Sequence, residues 1–284
     1  MNIAIVVVTH NRLEYTKKCI PRLLEDTTEQ FDLYLWDNAS TDETPNYLKS
    51  LKDNRIVEVI LSKENEGQTG AMNYVWSKTK AELIGKLDND CLVTPGWTRI
   101  FAQAHQDIEK LGAVACWHFP LDLFVEATAR KHNKIQCFGQ HQIVRHPWVC
   151  GSGFLMKRKT YEEYGPWKNG CDVGTTGYFL KMALSGKVNG WYFPFVWQEH
   201  MDDPISTHSL LKDNSAIKSM RKITFSLRYH DVNSIEERIE LRKSVVQNLM
   251  EDPWDAKYYV GWRRRLRHVM KRFEKVFESA SLTH

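Results

Sequence analysis

The amino-acid sequence predicts an α/β fold built on a mostly parallel sheet with helices on both faces. In roughly the first 100 residues, short apolar runs alternate with segments of helical periodicity, the pattern of consecutive strand–helix units. Polar clusters follow the apolar runs at 9–12, 37–42, 65–67 and 88–90. The carboxyl ends of parallel strands lie at one edge of the sheet, where such proteins bind ligands. The four clusters are therefore expected to line one edge of one pocket.

The elements of the first half follow from the apolar runs and their boundaries. Strands are predicted over 3–8, 31–36, 56–61 and 83–87, and helices over about 13–25, around Tyr47 to Leu51, and over about 69–79. The polar run from Asp37 to Asp42 supplies a turn and an N-cap for the second helix.

The second half is less regular. Residues 120–147 lack periodicity and are interpreted as a mobile loop or a short hairpin. From about Leu210 onward the pattern is helical and charged. The remaining elements are strands over 112–119, 148–156 and 190–196, and a helix over 178–185 that Gly186 ends.

Composition indicates a globular protein, with 42% hydrophobic and 26% charged residues. One domain is predicted over 1–205, with halves 1–100 and 101–205, followed by a helical extension over 206–284. The six cysteines form no C-x-x-C pair and favour reduced thiols over disulfides or a zinc site. The chain shows neither a signal peptide nor a run of ~20 apolar residues, so a soluble, cytoplasmic protein is expected.

Asp88-Asn89-Asp90 is the most informative motif. Two carboxylates one residue apart, at the carboxyl end of a predicted strand, offer hard oxygen ligands to a divalent cation that can also bind nucleotide phosphates. About one D-x-D is expected by chance in a chain of this length. The motif gains its weight from its position as the fourth polar cluster in the series.

Four stretches together resemble the family 2 glycosyltransferases, which have the GT-A nucleotide-diphospho-sugar transferase fold. They are Val7–Arg12, Trp36–Asp42, Asn65–Gly67 and Leu87–Asp90. The resemblance is specific over about 3–100 and looser to about 200. It implies an inverting, hexosyltransferase-type enzyme that uses Mn²⁺ or Mg²⁺ and moves a sugar from a nucleotide-diphosphate sugar, with UDP the most frequent carrier, to an acceptor hydroxyl. A role in surface polysaccharide or glycoconjugate synthesis would follow.

The resemblance also implies roles for individual residues. The donor-binding set is Thr9, Asn11, Arg12, Asp37, Asn65, Gly67, Asp88 and Asn89. The expected metal ligands are Asp90 and His200, which follows the last predicted strand; imidazole suits Mn²⁺ better than Mg²⁺. The other interpretation of His200 is a surface histidine beside Asp202 and Asp203. Trp148 and Gly151 are candidates for the acceptor side, and a buried structural tryptophan is the alternative for Trp148.

The catalytic base is where the sequence departs from the family pattern. An inverting transferase needs a carboxylate that takes the proton of the attacking hydroxyl. The expected acidic position falls near Gly174 and Thr175, which cannot act as a base, so Asp172 is the candidate. If Asp172 is not the base, Glu162, Glu163, or a retaining or inactive site are the alternatives. The missing acid at 174–175 keeps open a non-catalytic sugar-nucleotide or glycan-binding module.

Two further alternatives concern reaction class and partners. Nucleotidyl transfer is disfavoured because Thr9–Arg12 stands where a glycine-rich loop would follow the first strand. Between Trp262 and Phe277 an apolar stripe carries seven basic residues and one acidic residue. This segment either packs on the catalytic domain or a second subunit, giving a homo-oligomer, or lies on an anionic membrane. Nucleic-acid binding is not expected, because no recognised module accompanies the charge.

Overall fold

The computed structural model describes residues 1–26, 29–168, 177–220, 232–267 and 269. The predicted α/β class is confirmed. In the first half, strands and helices alternate in the order β1 (Ile3–Thr9), α1 (Leu13–Leu24), β2 (Asp32–Asp37), α2 (Thr44–Ser50), β3 (Ile56–Leu61), α3 (Gly67–Lys78) and β4 (Leu83–Asp88). The four strands pair in parallel in the order β3-β2-β1-β4.

Burial on both faces explains why β1 is apolar from Ile3 to Val8. Every residue of β1 is buried, as expected for a central parallel strand covered on both sides. Because successive side chains point to opposite faces, Val6 packs in one core with Trp76. Val7 packs in the other core with Phe101. The strand thus joins two apolar layers and ends, at Thr9, on the polar edge.

The second half extends the same sheet. It contains β5 (Cys91–Val93), α4 (Trp97–Asp107), β6 (Leu111–Ala115), α5 (Glu126–Lys131), β7 (Ile135–Phe138), β8 (His141–Arg145), β9 (Phe154–Lys157), α6 (Arg158–Tyr164), α7 (Tyr178–Leu184), β10 (Val188–Phe193), β11 (Gln198–His200), α8 (Asn214–Met220) and α9 (Ile235–Glu251). The nine-stranded sheet has the order β3-β2-β1-β4-β9-β6-β10-β8-β7, and β5 and β11 form a separate pair.

The sheet is mixed but mostly unidirectional. Strand β9 is antiparallel to both neighbours, β4 and β6, while β10 runs parallel to β6. Strand β8 is antiparallel to β10, and β7 closes the hairpin. Seven of the nine strands therefore point the same way, with β8 and β9 reversed. This agrees with the prediction of a mostly parallel sheet.

Two predictions for the second half need correction. The strand predicted over 148–156 is wrong at its start, because β9 begins at Phe154 and Gly153 takes a left-handed conformation with φ 59°. Residues 148–153 form a loop at the end of the sheet. The segment 120–147 contains α5 and the hairpin β7–β8. The prediction of a hairpin is therefore confirmed, and the alternative of a mobile loop is wrong. Helix α4 was not predicted, although Trp97, Phe101 and Ala104 recur at helical spacing.

Helix α9 packs back on the sheet. Ser234 caps it by accepting a hydrogen bond from the backbone N–H of Glu237, 3.1 Å away. Val246 and Met250 of α9 belong to the same core cluster as Trp191 of β10. Within the described residues, no helix combines the length and the apolar composition needed to cross a bilayer.

Candidate active site

The polar clusters meet at the carboxyl edge of β1, β2 and β4. Thr9 pairs in register with Asp37, and the preceding residue, Val8, pairs with Asp88. The backbone N–H of Asn38 also donates to the Thr9 carbonyl at 2.8 Å. The expectation that successive strand ends line one edge is confirmed for these clusters.

Asp37 organises the loops that follow β1 and β2. Its carboxylate is almost fully buried and accepts hydrogen bonds from the Thr9 hydroxyl at 3.2 Å and from the Ser40 N–H at 2.9 Å. Asn11, at φ 55°, donates its N–H to the Ser40 hydroxyl at 2.7 Å and accepts from the Thr41 N–H at 2.8 Å. The two loops are therefore joined into one rigid surface.

Asn38 connects this surface to the third loop. Its Oδ1 accepts from the Glu66 N–H at 2.8 Å, and its Nδ2 donates to Asn65 Oδ1 at 2.7 Å. Asn65 in turn accepts from the N–H of Gly67, which begins α3 at φ 70°. Asn65 and Gly67 thus shape the loop before α3. Asn38 was not singled out from the sequence, although it lies inside the quoted cluster 37–42.

Asp88 ends β4, and its side chain is partly exposed at the edge of the sheet. Lys86 Nζ lies 2.5 Å and Gln68 Nε2 lies 3.1 Å from the same carboxylate oxygen, Oδ1. Burial raises the pKa of Asp88, and the charge of Lys86 opposes that shift. Its backbone N–H donates to the Ser152 hydroxyl at 2.9 Å. Neither Lys86 nor Gln68 was recognised in the sequence as a partner of the motif.

Asp90 has a different set of neighbours. Arg12 Nη1 lies 3.0 Å from its Oδ2, and His200 Nε2 lies 3.9 Å from its Oδ1. Burial acts to raise the pKa of Asp90, but His200 and Arg12 outweigh burial and lower that pKa to about 2. Asp90 is therefore a carboxylate at neutral pH. Between the two aspartates, Asn89 donates to the Thr16 hydroxyl at 2.9 Å and so anchors the motif to α1.

Asp90, Cys91 and His200 are grouped closely enough to hold a metal ion, with one donor atom from each lying within 4.8 Å of the others. A thiolate is a soft ligand that suits Zn²⁺ better than Mn²⁺ or Mg²⁺, so the carboxylate and the imidazole are the ligands suited to Mn²⁺. Within the described residues, His200 Nδ1 is a buried atom without a hydrogen-bond partner. One oxygen and one nitrogen ligand, with positions left for phosphate oxygens, fit Mn²⁺.

Arg12 is directed towards this cluster. Its guanidinium contacts Asp202 as well as Asp90 and lies 4.7 Å over the ring of Tyr15. Burial raises the pKa of Tyr15 to about 12, so its hydroxyl stays protonated. That hydroxyl accepts from the Leu210 N–H at 2.8 Å, which ties α1 to the segment after β11. The nucleoside contact expected of Arg12 stays a prediction.

The acidic pair after His200 is buried, and α9 supplies one partner to each residue of the pair. Asp202 and Asp203 are 2% and 5% exposed. Arg238 Nη2 donates to the Asp202 carbonyl at 2.9 Å, and Arg242 Nε lies 3.1 Å from Asp203 Oδ2. Two arginines four residues apart on one face of a helix were the available sequence signal, and it was missed.

The predicted acceptor-side residues lie in the loop over 148–153. Trp148 is half-buried, and its ring contacts that of Tyr259, with centroids 4.7 Å apart at 84°. The Gly151 carbonyl accepts a hydrogen bond from Lys86 Nζ at 2.7 Å. Contact of either residue with an acceptor stays a prediction.

The candidates for the base are distributed differently. Asp172 lies outside the described residues. Glu162 and Glu163 lie on α6, where Glu162 pairs with Arg158 and Glu163 Oε2 is 3.6 Å from Lys187 Nζ. Both carboxylates are about half exposed, as expected of surface ion pairs.

The architecture is that of the GT-A fold, which nucleotide-diphospho-sugar transferases adopt. The mannosyltransferase PcManGT from Pyrobaculum calidifontis, solved with GDP-Man and Mn²⁺, superposes with a TM-score of 0.59 at 17% identity, covering 87% of this chain and 69% of that one. TarS from S. aureus, solved with UDP-GlcNAc, gives a TM-score of 0.56 at 12% identity, covering 88% and 72%. At these identities the similarity establishes the fold.

The family follows from the sequence profile described as glycosyl transferase family 2, which matches residues 4–184. This chain belongs to that family. The Escherichia coli protein UDP-Glc:alpha-D-GlcNAc-diphosphoundecaprenol beta-1,3-glucosyltransferase WfgD is 23% identical over 263 residues, 91% of this chain and 90% of that protein. Chondroitin synthase from Pasteurella multocida is 29% identical over 93 residues, 33% of this chain and 10% of the synthase. The match to the synthase therefore spans about a tenth of its length.

Proposed function

We propose that the protein transfers a sugar from a nucleotide-diphosphate sugar to an acceptor hydroxyl. The observation that carries the proposal is the buried polar network at the carboxyl ends of β1, β2 and β4. It places Asp37, Asp88 and Asp90 on one edge and Asp90 beside His200. Family membership supports the same conclusion.

Asp90 and His200 are the residues that would hold a divalent cation, with Mn²⁺ favoured by the imidazole. Bound there, the cation would act as a Lewis acid that neutralises the departing diphosphate. Arg12 adds a fixed positive charge to the same corner through its contacts with Asp90 and Asp202.

Asp88 would bind the donor through a hydroxyl group. Lys86 and Gln68 both contact its Oδ1, so Oδ2 is the oxygen suited to accept a hydrogen bond from a ribose hydroxyl. Thr9, Asn11, Asn65 and Gly67 shape the loops that would border the nucleoside. Asp37 would act mainly by holding those loops in place, because its carboxylate already accepts two hydrogen bonds.

In the proposed reaction the acceptor oxygen attacks the anomeric carbon as the bond from that carbon to the diphosphate breaks, with inversion. Asp172 would take the hydroxyl proton. Glu162 and Glu163 are less suited, because each is already engaged in a surface ion pair.

WfgD provides the best guide to substrates, because the match extends over 90% of its length. Its name specifies a UDP-sugar donor and a diphosphoundecaprenol-linked acceptor. We infer that this chain uses a UDP-sugar and a lipid-linked hydroxyl acceptor, in glycoconjugate or surface polysaccharide synthesis.

The central experiment compares the parent protein with Asp90→Asn and with the exposed control Asp122→Asn. Thermal stability is measured with UDP, GDP, CDP and ADP, each with and without Mn²⁺, since specific binding stabilises the native state. We expect one nucleotide to raise the Tm with Mn²⁺ for the parent and the control. Asp90→Asn should lose most of the Mn²⁺-dependent increase in Tm, because the substitution removes the charge of a proposed metal ligand.

Product analysis separates the reaction classes. Incubation with the matching nucleotide sugar should release nucleoside diphosphate. Release of pyrophosphate would instead indicate nucleotidyl transfer. Binding without hydrolysis or transfer to any acceptor would indicate a sugar-nucleotide-binding module.

A membrane-facing surface would suit a lipid-linked acceptor. Tyr258, Trp262, Leu266 and Val269 are 46–67% exposed, and three consecutive exposed arginines, residues 263–265, lie among them. The segment is anchored by Tyr259, whose ring contacts Trp148 of the acceptor-side loop. Apolar side chains flanked by arginines match an anionic lipid surface.

Liposome sedimentation tests this contact. The parent protein should sediment with phosphatidylglycerol vesicles more than with phosphatidylcholine vesicles, and Trp262→Ser/Leu266→Ser should reduce that fraction. The matched control is Val57→Ser/Leu121→Ser, which removes two side chains of similar exposure elsewhere. If the Trp262/Leu266 variant instead changes the sedimentation coefficient of the protein without vesicles, the face is an interface between copies of the chain.

A further inference from the structure

Lys86 is a fully buried lysine in the centre of the sheet. It lies on β4, two residues before Asp88 and therefore on the same face of the strand. Its register partners are Val6 of β1 and Phe154 of β9, both apolar. Burying an ammonium group costs free energy unless the group is paired and hydrogen-bonded. The partners of Lys86 Nζ therefore determine whether a lysine is tolerated at this position.

The ammonium group of Lys86 joins two separate parts of the site. Its Nζ lies 2.5 Å from Asp88 Oδ1 and donates to the Gly151 carbonyl at 2.7 Å. Asp88 belongs to the donor edge, whereas Gly151 belongs to the loop over 148–153. This side chain thus links the carboxylate of Asp88 to the backbone of that loop.

The surrounding contacts make this junction rigid. The Gly153 N–H donates to the Lys86 carbonyl at 2.9 Å, and the Asp88 N–H donates to the Ser152 hydroxyl at 2.9 Å. Gln198, which lies two residues before His200, donates from Nε2 to the Ser152 carbonyl at 3.2 Å. A displacement at Asp88 is therefore transmitted to the loop rather than absorbed by it.

We propose that Lys86 is a positioning residue that couples donor binding at Asp88 to the conformation of the loop over 148–153. The inference rests on the proposed function, since it requires a nucleotide at the edge containing Asp88. Lys86 itself is enclosed by protein and acts through Asp88 and Gly151. A methionine of similar length would fill the same space without the charge, so packing alone does not explain a lysine here.

The test is hydrogen–deuterium exchange on the full chain, with Mn²⁺ and the nucleoside diphosphate that gives the largest thermal shift. In the parent protein the nucleotide should slow exchange in 37–42 and in 148–153. In Lys86→Met the slowing in 37–42 should persist, while that in 148–153 should fall from roughly tenfold to below about twofold, because the link from the Asp88 carboxylate to the Gly151 carbonyl is lost.

Lys134→Met is the matched control. Lys134 is also fully buried and also donates to a main-chain carbonyl, that of Asp252 at 2.8 Å, but it precedes β7 at the far edge of the sheet. This variant should keep the nucleotide response of both segments. Where Lys86→Met does not fold, Lys86→Gln removes the charge with less change in polarity and carries the same expectation.

The outcomes distinguish the two proposals. If no nucleotide slows exchange in 37–42 of the parent protein, the proposed donor site fails, and the role of Lys86 fails with it. If 37–42 responds in all proteins and 148–153 responds equally in the parent and in Lys86→Met, the coupling role is overturned while the donor site stands. If Lys134→Met also loses the slowing of exchange in 148–153, the effect is a general one of removing a buried lysine. That result would also overturn the coupling role of Lys86.

Discussion

Asp88 and Asp90 stand one residue apart, yet their surroundings give them different chemistry. Asp88 is held by the buried Lys86, and its pKa is raised by burial. Asp90 is held by Arg12 and His200, which lower its pKa to about 2. The motif therefore separates into one carboxylate suited to a hydroxyl and one suited to a cation.

The residue-scale prediction concerns the base. Asp172→Asn should lower kcat by about 10²–10⁴-fold, the usual contribution of a general base, while leaving the Kd for the nucleoside diphosphate unchanged. The measurement is steady-state kinetics together with a nucleotide titration. Glu162→Gln and Glu163→Gln, which alter surface carboxylates on α6, serve as controls. If Asp172→Asn keeps full turnover and one of the glutamate variants loses kcat, that glutamate is the catalytic base instead of Asp172.

At the scale of elements, the close contact between Gly153 and Gln198 explains why residues 148–153 form a loop and β9 begins only at Phe154. Gly153 has φ 59°, and a Cβ at this position would lie 2.0 Å from Gln198 Oε1. The glycine thereby lets the loop turn against β11 just before β9 begins. The strand predicted over 148–156 includes this glycine, and the sequence did not reveal that the turn at Gly153 precedes the strand.

The element-scale prediction compares two glycines with positive φ. Gly153→Ala should destabilise the protein by more than about 2 kcal/mol, because left-handed strain adds to the steric clash with Gln198. Gly139→Ala should cost only about 1–2 kcal/mol, since φ is 61° there but nothing lies within 4 Å of the added Cβ. Urea unfolding measures both. Equal costs would show that the contact with Gln198 relaxes freely.

At the scale of the whole molecule, the C-terminal segment is tied to the hairpin edge of the sheet by buried charges. Lys134 donates to the Asp252 carbonyl, and Arg267 Nη1 lies 3.4 Å from Asp252 Oδ2. The guanidinium of Arg145 stacks 4.6 Å from the ring of Trp254. These contacts fix residues 252–254 to the hairpin β7–β8 and to Arg267.

The whole-molecule prediction is a pH dependence of stability. Burial lowers the pKa of Lys134 to about 7, against 10.5 when exposed. Between these values the unfolded chain binds more protons than the folded one. The buried lysine therefore opposes folding fully below about pH 7, and this cost falls as the pH rises towards 10.5, so stability rises with pH. The rise is at most about 1.4 kcal/mol per pH unit.

The measurement is urea unfolding of the parent protein and of Lys134→Met between pH 7 and pH 9. The difference in unfolding free energy between the two proteins isolates the lysine from the buried thiols and tyrosines that titrate in the same range. Stability of the parent protein should rise relative to the variant as the pH increases. Parallel curves would mean that Lys134 keeps an ordinary pKa in the folded state.

The sequence by itself determined the α/β class, the succession of β1 to β4 along the chain and the residues at their carboxyl ends. Each of these features follows from the pattern of apolar and polar residues within a short stretch of the chain. The expectation that the strand ends meet at one edge adds only the general rule for parallel sheets. Only the tertiary structure decided which partners each aspartate has, because Lys86 reaches Gly151 across 65 positions and Arg12 reaches Asp90 across 78. It also decided that α9 buries Arg238 and Arg242 against Asp202 and Asp203, since the four-residue spacing places the two arginines on one helix face but does not name their partners.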